Sequence, residues 1–110
     1  MSQLTTHILN TSTGRPASGV SIILYEEETN QEIARGITDN DGRISNLLKK
    51  DVSLSYGVYR MRFETKEYFD RNGITTFYPF VEVVFEITTK EHYHIPLLLN
   101  PFGFTTYRGS

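Results

Sequence analysis

Val81-Glu82-Val83-Val84-Phe85-Glu86-Ile87 reads as a strand with one apolar face, since Val81, Val83, Phe85 and Ile87 fall on one side and Glu82 and Glu86 on the other. The same alternation recurs upstream. Tyr59, Met61 and Phe63 are interleaved with Arg60, Arg62 and Glu64, and Val20, Ile22 and Leu24 share one side of an earlier segment. Turn signals separate these runs at Thr13-Gly14-Arg15-Pro16, Glu28-Thr29-Asn30, Asp39-Asn40-Asp41-Gly42 and Asn100-Pro101-Phe102-Gly103. Half-buried strands punctuated at short intervals predict an all-β antiparallel sandwich, two sheets hiding their apolar faces against each other. One segment departs from the rhythm. Thr65-Lys66-Glu67-Tyr68-Phe69-Asp70-Arg71-Asn72-Gly73 offers Thr65 as an N-cap, good helix formers and a glycine stop, which predicts a short helix.

The chain of 110 residues reads as a single domain, residues 1–110, with no linker, internal repeat or low-complexity tract. Its 11 Lys and Arg against 13 Asp and Glu give a net charge of -2, and the basic residues are scattered, which argues against a nucleic-acid partner. With no cysteine there is no disulfide, no thiolate nucleophile and no thiolate metal site. No segment reaches the apolar length of a membrane span, and the first residues lack the pattern of a secretory signal, so the expected location is the cytoplasm. A Gly-x-Ser-x-Gly elbow, a phosphate-binding loop and a dinucleotide fingerprint are all missing, so neither covalent catalysis nor a nucleotide cofactor is expected.

The chemistry-bearing residues concentrate near the two ends. His7 lies in a strand-like segment and projects opposite to Thr6 and Ile8, while His92 and His94 share a face opposite Tyr93 and Ile95. An unperturbed imidazole titrates near ~6.5, so converging imidazoles can take a proton from water and return it to a leaving group. A His-x-His pair plus a third histidine also has zinc-ligand chemistry, but no acidic residue adjoins His7 and Glu91 alternates to the other face, so no metal is expected to be required. Arg43 leaves a tight turn, as surface arginines commonly do, yet a guanidinium there can also grip carbonyls and stabilise an oxyanion. The acidic turn before it is not an EF-hand, because Ile37 stands where the first Asp ligand belongs. Arg60, Arg62 and Glu64 on one strand, with Glu82 and Glu86 on another, are adequately explained by cross-strand ion pairing.

The segments Leu4-Thr5-Thr6-His7-Ile8-Leu9-Asn10, Thr13-Gly14-Arg15-Pro16-Ala17 and His92-Tyr93-His94-Ile95-Pro96-Leu97-Leu98-Leu99, closed by Tyr107-Arg108-Gly109-Ser110, form a pattern. It resembles the 5-hydroxyisourate hydrolases of the transthyretin-like family from about Leu4 to Ser110, the final tetrapeptide being its most specific part. The resemblance implies a transthyretin-like (prealbumin-like) sandwich with one short helix at the segment noted above. It also implies a homotetramer whose subunit interface forms a channel, and a small purine-derived substrate opened by hydrolysis of a cyclic amide. It assigns catalysis to His7, Arg43, His94 and Ser110, and substrate contacts to His7, Arg43, Tyr107, Arg108 and Gly109, with no cofactor. His92 is left without a chemical role. In the tail, Tyr107 would contact a flat heterocycle, Gly109 would allow a sharp bend, the Ser110 hydroxyl would hydrogen-bond a substrate, and the terminal carboxylate would raise the basicity of a nearby histidine.

Two apolar runs, Ile95-Pro96-Leu97-Leu98-Leu99 and Thr75-Thr76-Phe77-Tyr78-Pro79-Phe80, serve either association or core packing. The alternative function is a transthyretin-like carrier of a small aromatic ligand. Carriers of that branch lack the histidine and arginine set and the Tyr-Arg-Gly-Ser ending. A further alternative, an adhesive or regulatory β-sandwich module of a larger assembly, lacks support from any linker or signal.

Overall fold

The computed structural model describes residues 2–110. Nine strands and one helix follow in order: β1 (Leu4–Asn10), β2 (Arg15–Pro16), β3 (Ser21–Glu26), β4 (Glu32–Ile37), β5 (Arg43–Ile44), β6 (Gly57–Phe63), α1 (Thr65–Arg71), β7 (Val81–Ile87), β8 (Tyr93–Asn100) and β9 (Gly103–Thr106). The predicted sandwich is present. One sheet has the order β2-β1-β8-β9, with β5 also pairing β1, and the other has the order β4-β3-β6-β7.

Strand parity sends the expected side chains inward. Leu4 and Ile8 of β1, Ile95, Leu97 and Leu99 of β8, Ile22 and Leu24 of β3, Tyr59, Met61 and Phe63 of β6, and Val81 and Ile87 of β7 make one buried cluster. The run Ile95–Leu99 therefore belongs to the core and its immediate cover, the packing reading of that segment. The run 75–80 behaves otherwise: Phe77 is 71% exposed, and Tyr78 stacks edge-on against both Phe77 and Phe104. Phe102, equally exposed, extends this aromatic platform.

Two details differ from the sequence reading. The sandwich is not wholly antiparallel, because β1 and β8 pair in parallel, Thr5 against His94 and His7 against Pro96. These strands come from opposite ends of the chain, so no tight turn dictates their relative direction. The helix begins at the expected cap position, one residue early: Glu64 is its N-cap, without a side-chain cap bond, and Thr65 is its first helical residue. Thr65 is buried and its hydroxyl has no partner, so packing of the helix against the core, with Phe69 fully buried, outweighs the capping preference.

On the outer face of the second sheet the expected ion pairs form. Arg60 bonds Glu27 and Glu82, Arg62 bonds Glu64 at 2.8 Å and lies 3.6 Å from Glu82, and Phe80 lies beneath the Arg62 guanidinium at 3.7 Å. The outer face of the first sheet carries the histidines.

Candidate active site

The turn before β5 is built by Asp39. Its carboxylate accepts hydrogen bonds from the backbone N–H groups of Asp41 and Arg43 at 2.9 and 3.0 Å, and its carbonyl accepts from Gly42 N–H at 2.9 Å. Gly42 has φ of 73°, and a Cβ there would lie 2.5 Å from the Ile8 carbonyl oxygen, so only glycine lets the turn settle on β1. The Gly42 carbonyl then accepts from Ile8 N–H at 2.8 Å. That contact fixes the register in which Arg43 stands opposite His7.

β8 supplies the other half. Its parallel pairing sets His94 against Thr5, and Thr5, His7 and His94 all project from the outer face while Leu4, Thr6 and Ile8 turn inward. The hydroxyl of Thr5, a residue only 8% exposed, lies 2.8 Å from His94 Nδ1 and 2.9 Å from His92 Nε2. The two imidazoles are nearly parallel, with ring planes 18° apart.

The tail closes the arrangement. Gly109 N–H donates to the His94 carbonyl at 2.8 Å, forming an antiparallel bridge. A Cβ on Gly109 would come within 2.6 Å of His94 Cδ2 and 3.1 Å of Pro96 Cγ. Gly109 is thus required by close approach to the imidazole, whereas the sequence suggested a need for bending. Thr5, Thr6, Arg43, Ile44, Ser45, His92, His94 and Ser110 line a cleft of about 220 Å³, and His7 stands beside it across from Arg43.

Of the six residues expected from sequence to bond or transform a ligand besides Gly109, four meet here: His7, Arg43, His94 and Ser110. Tyr107 and Arg108 do not line this cleft. They border a second cavity of about 280 Å³ with Tyr93, His94 and Val83. The Arg108 guanidinium pairs with Glu91 and lies 4.3 Å above the Tyr93 ring. Its neighbours Glu91 and Tyr93 alternate away from His92 and His94, so it clasps the tail from the other side of β8. Thr5 was missed by the sequence reading. Its parity with His7 was the available signal, but only the β1–β8 register shows that it touches two imidazoles.

The surroundings push both central imidazoles below their ordinary titration range, which favours the neutral ring. Burial, then the Arg43 guanidinium, pushes His7 below its ordinary value, against an upward pull from the Asp41 backbone and from the Asp39 and Asp41 carboxylates. Burial pushes His94 down as well, followed by His92, Arg43 and His7. The net direction at His94 is thus downward, opposite to the effect expected of a tail carboxylate alone. Two neutral imidazoles beside an arginine can accept a proton and hold a developing oxyanion. Among the described residues no group of three or more His, Cys, Asp or Glu side chains is arranged to hold a metal ion.

Comparison with known proteins bears on which chemistry this is. The Transthyretin family model, described as the HIUase/Transthyretin family, matches residues 4–109. The chain is 44% identical to the 5-hydroxyisourate hydrolase of Salmonella dublin over 97% of its own length and 80% of that protein. It superposes on the structure of Klebsiella pneumoniae 5-hydroxyisourate hydrolase with a TM-score of 0.88 and 37% identity, covering 97% of this chain and 98% of that one. Sea bream transthyretin in complex with thyroxine superposes equally well, with a TM-score of 0.89 and 35% identity over 98% of this chain and 95% of that one.

Proposed function

The chain belongs to the HIUase/transthyretin family, and we propose that within it this protein catalyses the hydrolysis of 5-hydroxyisourate to 2-oxo-4-hydroxy-4-carboxy-5-ureidoimidazoline. Fold alone does not separate hydrolase from carrier, because both branches superpose on the chain equally well. The observation that carries the reading is Arg43, free of any ion pair among the described residues, set against His7 and His94 in a small polar cleft. A carrier of an apolar ligand needs none of these groups.

The reaction adds water to a ring amide. The water oxygen bonds to the carbonyl carbon, the carbon–nitrogen bond breaks, and the departing nitrogen takes up a proton. His7 and His94 orient the water and accept its proton, Arg43 holds the substrate and stabilises the oxyanion, and Ser110 polarises the histidine pair. His7 contributes to the depression of His94, and the roles of base and acid are assigned to the two imidazoles together. Gly109 contributes backbone contact to substrate. Tyr107 and Arg108 contact substrate from the adjoining cavity, which they share with His94.

Assembly follows from the same surfaces. The platform of Phe77, Tyr78, Phe102 and Phe104 is too large and too exposed for a chain that works alone, and β7 and β9 end their sheets with unpaired edges. A homotetramer that buries them would turn the open histidine cleft into a channel. Sedimentation at micromolar concentration would return four times the chain mass. Among the described residues no helix is long and apolar enough to cross a membrane; the cytoplasmic location is a proposal that cell fractionation checks.

The deciding experiment generates 5-hydroxyisourate in place with urate oxidase and follows its ultraviolet decay. Acceleration by the purified protein supports the hydrolase. Unchanged decay, with thyroxine-like ligands binding instead, would favour the carrier.

A further inference from the structure

The hydroxyl of Thr5 holds one proton and touches two ring nitrogens, His94 Nδ1 at 2.8 Å and His92 Nε2 at 2.9 Å. It can donate to one imidazole while accepting from the other. With Nδ1 engaged by Thr5, Nε2 is the nitrogen that His94 has left for water or substrate. His92 lies at the exposed end of this row, in contact with solvent, whereas His94 is half-buried. We propose that His92, Thr5 and His94 form a proton relay, through which His94 passes the proton taken from the attacking water to His92 at the solvent edge. This inference rests on the hydrolase reading above.

The step balances without any further reagent. As His94 Nε2–H forms, the Nδ1–H bond breaks and its proton goes to Thr5 Oγ1; the original hydroxyl proton of Thr5 goes to His92 Nε2. His94 ends as a neutral ring carrying hydrogen on Nε2, and the positive charge resides on His92. Running the relay backwards resupplies Nδ1 when Nε2–H is given to the departing nitrogen. Nothing is oxidised or reduced.

The surroundings explain why the charge should move. Facing His94 are the Arg43 guanidinium from β5, His7 from β1, His92 from its own strand, and Ser110 with its carboxylate from the tail; Asp39 and Asp41 stand beyond His7. Glu91 is committed to Arg108 on the other side. A cation held on His94 would repel Arg43 at the moment Arg43 is needed for the oxyanion. Displacing it through a hydroxyl to His92 moves the charge from the half-buried ring to the exposed one, where water solvates it, while keeping the His94 ring hydrogen-bonded.

The test compares His92→Gln, Thr5→Val and Thr5→Ser with the wild type in steady-state kinetics on 5-hydroxyisourate, with a proton inventory in mixed light and heavy water. Gln can keep a hydrogen bond to Thr5 but cannot take up the proton, so it separates a relay from mere positioning. The expected result is a fall in kcat of roughly 10-fold or more in His92→Gln and Thr5→Val with KM little changed, recovery in Thr5→Ser, and a bowed inventory in the wild type that turns linear in His92→Gln. The acid limb of kcat should also move to higher pH in His92→Gln, because a neighbour that depresses His94 has gone. Wild-type kcat in His92→Gln, or a linear inventory in the wild type, would overturn the relay and leave the hydrolase standing. An inactive wild type would instead overturn the hydrolase reading itself.

Discussion

The two outer faces of the sandwich both carry arginine and do opposite things with it. On the β6–β7 face, Arg60 is bonded to Glu27, Glu82 and Asn30 and lies against Tyr25, while Arg62 is bonded to Glu64 and covers Phe80. Both guanidinium groups there are already paired with carboxylates of the protein. On the β1–β5–β8 face, Arg43 has no ion pair among the described residues, and what it faces are imidazoles whose protonation it opposes. A strand face becomes a site when charge is left uncompensated, because only then are the guanidinium donors available to a ligand.

The hardest test of that contrast exchanges the arginines' fates. Arg43→Ala, and likewise His7→Ala or His94→Ala, should lower kcat/KM by ~100-fold or more while the unfolding midpoint barely moves. Arg60→Ala should lower the unfolding midpoint and leave turnover alone, since it leaves Glu27 without its cation and Glu82 with Arg62 only, without touching the cleft. Parallel thermal melts and ultraviolet assays on the four variants suffice. Full activity in Arg43→Ala would erase the distinction between the faces.

A smaller effect is expected where the tail meets the histidine. In Gly109→Ala the new methyl must displace either the tail or the His94 ring, and misplacement of this kind should lower kcat by roughly 10-fold. Gly103→Ala, whose added Cβ meets only ordinary contacts with Asn100 at 3.7 Å and beyond, is the matching control and should be silent.

Much of this was legible from strand parity. Alternation placed His92 with His94, set His7 opposite the buried Thr6 and Ile8, and paired the charges of Arg60 and Arg62 with Glu82. The Asp39-Asn40-Asp41-Gly42 turn announced Arg43 at the start of a strand, because its glycine and its Asp side chain have a local job that sequence reveals. What parity does not contain is which strand lies alongside which, or in what direction. The parallel pairing of β1 with β8, and with it the contact of Thr5 with both imidazoles, depends on packing between the two ends of the chain. For the same reason the close approach of Gly109 to the His94 ring and the clasp of Arg108 on Glu91 and Tyr93 are visible only in the folded chain.

The titration of the histidines sharpens the comparison without any turnover. His7 and His94 should titrate below the ordinary 6.5 in the wild type, and both should rise in Arg43→Gln, each imidazole being followed by its Cε1–H resonance. The sign for stability follows from linkage. A histidine whose folded value is depressed favours the fold in its neutral form, so that contribution is complete above about 6.5 and is lost as pH falls through the folded value. Acid should therefore destabilise the wild type more than Arg43→Gln in the range just below 6.5. Equal acid sensitivity would mean that Arg43 is screened from the imidazoles and that the two faces are electrostatically alike.

The least effect is expected from Glu82→Gln, and its smallness is informative. Glu82 serves both arginines of the β6–β7 face, yet Arg60 keeps Glu27 and Arg62 keeps Glu64 when it is neutralised. Partly exposed pairs of this kind contribute ~1 kcal/mol or less, and a shared network with spare partners should lose less than the sum of its links. Chemical denaturation of Glu82→Gln, Glu27→Gln and the double variant should show a double loss greater than the two single losses combined, because only the double variant leaves Arg60 without a carboxylate. Strict additivity would mean that the bonds act independently, and the β6–β7 face would then be a set of separate surface pairs instead of a compensated network that keeps its arginines out of chemistry.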